Sequence, residues 1–83
     1  MPKAINFTAH AEQKLLLLNE IGVSKEKIVE TIKKPDKIQD GYFGRKIAQG
    51  ALSRDLVLRI VFEESNKEIL IITVYPGEKR RYE

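Results

Sequence analysis

Two apolar runs in the last third of the chain, Leu56–Phe62 and Ile69–Tyr75, flank the polar stretch Glu63–Lys67. Short runs rich in Leu, Ile and Val, bounded by polar turn residues, read as strands, and a brief polar link between two of them reads as a hairpin. The second strand leads into Pro76–Glu83, which carries Lys79, Arg80, Arg81 and Tyr82. A buried hairpin thus delivers the Thr73 hydroxyl, the Tyr75 phenol and a basic tail to one edge of the domain, a grouping that suits a phosphate.

The upstream sequence changes period. Thr8 is placed to cap a helix over Ala9–Glu20, with Ala11, Leu15 and Leu18 on one stripe, widened by Leu16 and Leu17. Gly22 fits the left-handed stop that ends such a helix. Ser24 caps a second helix over Lys25–Lys34, whose inner stripe is Ile28, Val29 and Ile32 and which Pro35 terminates. From Asp36 the pattern turns extended: a short strand at Lys37–Gln39, a turn at Asp40-Gly41, and a strand over Arg45–Leu52 that Gly50 weakens. Leu56–Glu63 and Glu68–Tyr75 follow. The order α-α-β-β-β-β predicts an α+β fold in one domain spanning residues 1–83, with two N-terminal helices packed on a four-stranded antiparallel sheet.

Composition narrows the function classes. There is no cysteine and one histidine, so a thiolate or histidine metal site is not expected, and neither is a cofactor. No apolar run approaches a membrane span, and the N-terminus lacks the apolar core of a secretory signal, so a cytoplasmic protein is the expectation. The net charge of +3 permits nucleic-acid binding without requiring it.

Strand alternation assigns faces. If the helices cover Leu56, Leu58 and Ile60 together with Leu70, Ile72 and Val74, then Arg59, Thr73 and Tyr75 point together from the open face. Arg59 has an alternative, structural use as an ion-pair partner of Glu63 or Glu68. Edge strands of an open sheet also allow self-association, so either a monomer or a homodimer is compatible with the chain.

Several short pieces in fixed order resemble the DUF4258 family of small prokaryotic domains: Thr8-Ala9-His10-Ala11, Gly22-Val23-Ser24, Pro35-Asp36, Gly44-Arg45, the strand containing Arg59, and Ile71-Ile72-Thr73-Val74-Tyr75. The family's order of elements is in turn similar to the RelE/barnase-like fold of RNase toxins. The resemblance implies metal-independent cleavage of RNA and an antitoxin-like protein partner. It matches His10 to the family's first-helix histidine and Thr73 and Tyr75 to its last-strand polar pair, with Arg45 and Arg59 as further matches.

Metal-independent cleavage needs a base for the 2′-hydroxyl, cations for the phosphorane charge and an acid for the leaving oxygen. His10 suits base or acid, Arg59 the phosphate, Thr73 an orienting hydroxyl and Tyr75 a proton donor; these are the candidate catalytic residues. Arg45, Lys79, Arg80, Arg81 and Tyr82 are the candidate nucleic-acid contacts. The catalytic reading requires His10, Thr73, Tyr75 and an arginine in one cleft. The alternative is a non-catalytic module that binds nucleic acid or protein through the open sheet face.

Overall fold

Thr8 fixes where the first helix starts and what it rests on. Its Oγ1 accepts from the Ala11 amide at 3.0 Å, capping the helix, and donates to the Ile72 carbonyl at 2.9 Å, tying that cap to the sheet. The computed structural model describes residues 3–82. In chain order its regular elements are β1 (Ala4–Phe7), α1 (Ala9–Leu18), α2 (Lys25–Lys33), β2 (Lys37–Asp40), β3 (Lys46–Ala51), β4 (Leu56–Glu64) and β5 (Glu68–Glu78). The first helix ends in a 3-10 turn, Asn19–Ile21, and Gly22 then takes φ 90° as the left-handed stop. Ser24 Oγ accepts from the Lys27 amide at 3.2 Å and opens α2.

The sheet has five strands in the order β1-β5-β4-β3-β2. This corrects the four-stranded antiparallel expectation in two ways. The segment before Thr8 is a strand, and it pairs parallel with β5, so the sheet is mixed. The two central hairpins are antiparallel as expected. Parallel pairing follows from the path: α1 and α2 carry the chain across one face before β2, and β1 joins the sheet at its far edge beside the last strand.

Both helices lie on one face. Ala11, Val23 and Ile28 are fully buried there against Ala48, Leu58, Ile60, Phe62, Ile71 and Val74, with Ile5, Phe7, Leu15 and Ile69 packed around them. Thr31 of α2 sits directly over Gly50 of β3, where a Cβ would lie 2.8 Å from its Cγ2. Gly50 is therefore a packing requirement of the helix–sheet contact rather than a weakness of the strand. Leu16 and Leu17 do not widen the buried stripe; they are 75% and 69% exposed.

The face assignment on β5 also needs correction. Val61 pairs with Thr73 but Phe62 pairs with Ile71, so Ile72 is an extra residue, a β-bulge. One added residue inverts parity beyond it. Ile69 and Ile71 consequently join Val74 on the helix side, and Leu70 moves to the open side. Arg59, Thr73 and Tyr75 all lie on the same side of the bulge, in the regular stretch that pairs Arg59 with Tyr75 and Val61 with Thr73, and they share the open face, as the alternation predicts.

Candidate functional site

A row of polar side chains crosses the face that the helices leave open. Lys37 of β2 stands opposite Gln49 of β3, Gln49 opposite Arg59 of β4, and Arg59 opposite Tyr75 of β5. Residues directly paired across strands are in side-chain contact distance, so register alone builds this row. Arg59 is its centre and is only 4% exposed. Its Nε donates to the Tyr75 hydroxyl at 3.0 Å, its Nη2 to Gln39 Oε1 at 2.9 Å, and its Nη1 to Gln49 Oε1.

The chain then folds back over the row. A 3-10 turn at Lys79–Arg81 follows β5, held by the Lys79 amide donating to the Asp55 carbonyl at 2.9 Å. Tyr82 comes to rest with its ring over the Arg59 guanidinium, 4.0 Å from ring centroid to Cζ. Gly77 makes room for that ring, because a Cβ there would come within 2.9 Å of Tyr82 Cδ2 and closer still to Cε2. The Tyr82 carbonyl accepts from both Lys37 Nζ and Gln49 Nε2, the latter at 3.2 Å.

What sets this cluster apart is its charge. No described carboxylate pairs with Arg59: Glu63 binds Arg45 at 3.0 Å and Glu68 accepts from Asn6 at 2.7 Å. Lys37 likewise forms no ion pair among the described residues. Two cations thus face one another across neutral amides and phenols. A buried charge is ordinarily paired with its opposite. A guanidinium has five N–H donors; three are bonded to Gln39, Gln49 and Tyr75, which leaves two for another acceptor. Tyr75 accepts from Arg59 and keeps its own O–H to donate. The arrangement presents N–H and O–H donors of the kind that suit anionic oxygen and, among the described residues, contains no carboxylate or imidazole to act as a base.

The structure brings Arg59, Tyr75 and Tyr82 together, with Thr73 two residues along the same face. It does not bring His10 to them. His10 is exposed in the first turn of α1, on the helix-bearing side of the sheet, and makes no hydrogen bond among the described residues. Arg45 is engaged by Glu63. Lys79, Arg80 and Arg81 line the exposed turn beside the row, and Arg80 reaches Glu78 at 3.4 Å. Lys37, Gln39 and Gln49 were not singled out from the sequence; their signal is the polar spacing Lys37/Gln39 and a lone Gln between apolar strand neighbours, which gains meaning only once strands are in register.

Two helices on one face of a five-stranded mixed sheet, with the opposite face open and polar, is the architecture of the RelE-like toxin fold. A chain of the E. coli DinJ–YafQ toxin–antitoxin complex superposes with a TM-score of 0.59 at 9% identity, covering 99% of this chain and 98% of that one. YafQ from E. coli strain BL21(DE3) does so with a TM-score of 0.57 at 11% identity, covering 96% and 97%. At such identities the likeness is one of fold. The chain belongs to the DUF4258 family, described as a domain of unknown function, whose model matches residues 7–76. No curated protein matches it in sequence. Among the described residues, no helix is long and apolar enough to cross a membrane.

Proposed function

We propose that this chain is an RNA-binding domain of the toxin type, which grips the RNA backbone on its open sheet face through Arg59. The observation that carries this reading is the buried Arg59 guanidinium, held by neutral acceptors with no carboxylate partner among the described residues and with donors to spare. Guanidinium groups bind phosphate through paired N–H donors. Lys79, Arg80 and Arg81 add charge along the rim, and Tyr75 and Tyr82 supply faces on which bases stack. The fold likeness to YafQ supports the same class and a cytoplasmic, antitoxin-regulated setting. An antitoxin-like partner has a ready surface in Leu16, Leu17 and Ile21, all at least 50% exposed.

Cleavage is the second reading, favoured by the free phenolic proton of Tyr75 beside Arg59. In it Arg59 neutralises the phosphorane, Tyr75 protonates the leaving oxygen and Thr73 orients the phosphate, while the base comes from outside the row or from His10 of another copy. Native protein, Arg59→Met and His10→Ala are incubated with labelled RNA in EDTA, and binding is followed as salt is raised. Salt-sensitive binding that Arg59→Met abolishes and His10→Ala spares is the expected result. Binding untouched by Arg59→Met would sink the reading. Cleavage in EDTA, with or without a translating extract, would promote the second reading over the first.

A further inference from the structure

The tail does more than cover Arg59. The Tyr82 carbonyl is a neutral acceptor placed between an ammonium and an amide donor, and its ring lies on a guanidinium. A flat ring stacked on a cation, joined to an oxygen held by a second cation, is the pattern a nucleotide presents: base and phosphate. A peptide carbonyl satisfies those donors in hydrogen bonding, but among the described residues no carboxylate neutralises Lys37 or Arg59, whereas a phosphate oxygen would. We propose that Lys37, Gln49 and Arg59 form a one-nucleotide subsite for single-stranded RNA, and that Tyr82 is its resident placeholder, displaced when RNA binds. The inference rests on the RNA reading given above and adds Lys37 and Gln49 as phosphate ligands.

The geometry provides for displacement. The tail is anchored at Lys79, whose amide bonds Asp55, so Tyr82 hangs on a single short turn closed by its own amide bonding the Lys79 carbonyl at 3.1 Å. Opening that turn leaves β5 and its pairing with β4 intact. The bare Cα of Gly77 forms the floor under the ring, and the same flat floor accepts a base. Arg80 and Arg81 sit on the turn beyond that anchor, so the side-chain charge that attracts RNA also pulls on the lid.

The test opens the lid in two independent ways. Tyr82→Ala removes the stacked ring and with it the hold that keeps the Tyr82 carbonyl in place, whereas Gly77→Ala keeps the ring and pushes it off with a methyl group. Each variant is checked for a native-like denaturation transition and then titrated with a fluorescein-labelled octauridylate by anisotropy. In parallel, inorganic pyrophosphate is added while the 15N shift of Arg59 Nε is followed. Both variants are expected to bind the oligomer about tenfold tighter than native protein, and Lys37→Met in the Tyr82→Ala background is expected to cancel that gain and lower the salt slope by about one. Folded variants that bind the oligomer no tighter than native protein, and leave Arg59 Nε as unresponsive to pyrophosphate, would overturn the proposal. A pyrophosphate response that appears only in the opened variants, with no oligomer binding, would keep the placeholder and the anion cup while refuting RNA as the ligand.

Discussion

Arg59 and Gln49 yield a prediction that runs against the usual rule that deleting the larger group costs more. Gln49→Leu keeps the buried cation and removes its most deeply buried acceptor, since Gln49 is 7% exposed while Gln39 lies at the surface. Leaving a buried charged donor without its acceptor costs more than the ~1–3 kcal/mol of a neutral group. Arg59→Met removes the cation itself, together with a desolvation penalty of several kcal/mol, and methionine fills the space of the arginine stem. Gln39 and Tyr75 then rebond to water, so the one buried orphan is Gln49 Oε1, at about 1–3 kcal/mol. Arg59→Met is therefore expected to be milder than Gln49→Leu by about 2 kcal/mol. The double variant leaves neither orphan and should be more stable than Gln49→Leu alone, a non-additivity characteristic of directly bonded residues. Urea denaturation measures this directly: with a slope of about 1–2 kcal/mol/M for a chain of this size, the two single variants separate by about 1–2 M in midpoint. If Arg59→Met is the more damaging variant, or if the two losses simply add, the cation is a net stabiliser and the view of an uncompensated, ligand-seeking guanidinium fails.

Gly50→Ala should lose about 1–3 kcal/mol by overpacking, because Thr31 is 4% exposed and its hydroxyl is bonded to the Lys27 carbonyl at 2.8 Å, so it cannot swing clear; adding Thr31→Ser, which deletes the offending Cγ2, should recover most of that loss in thermal melts. Phe43 adopts φ 58°, ψ 38° while 92% exposed, so Phe43→Asn should raise stability by about 1 kcal/mol, and an unchanged or lower melting temperature would show that the ring contributes packing. Glu64 is held below the usual carboxylate range chiefly by its hydrogen bond to Lys3 at 2.7 Å, which outweighs the opposing desolvation, with the charges of Lys3 and Lys46 adding to the lowering. A depressed folded-state value stabilises above the unfolded value of about 4.3 and fades as pH falls through the lower one. Lys3→Met should accordingly narrow the acid-side stability difference between pH 5 and pH 3, weakly and only at low salt, because the pair is surface-exposed.

The helices and the central hairpin were legible because their signals are local: two side-chain caps, a left-handed glycine and two apolar runs. Ala4–Phe7 was not, because four residues are too few for a period, and its partner, β5, lies at the other end of the sequence. The bulge at Ile72 was silent for a different reason. In Ile69–Val74 both parities are apolar apart from Thr73, so a one-residue slip leaves the pattern equally plausible. Arg59 and Tyr75 could be read as sharing a face from period two alone. Lys37, Gln39 and Gln49 could not be attached to them, since cross-strand opposition depends on the lengths of two turns. Tyr82 was read as part of a basic tail; its return over Gly77 is a long-range contact with no local mark beyond the glycine.

The pairing of β1 with β5 has a consequence for how the molecule comes into being. Residues 4–7 lie beside residues 68–71, and the Thr8 hydroxyl reaches the Ile72 carbonyl across 64 positions. During synthesis, the first strand and the foot of α1 have nothing to dock on until the last strand has left the ribosome. Closing so long a loop is a slow, entropically costly step. The β2–β3–β4 meander can assemble earlier, yet Tyr75, the hydroxyl partner of Arg59, also lies on that last strand. Nascent chains therefore lack the Tyr75 side of the polar row until β5 emerges and pairs with β4.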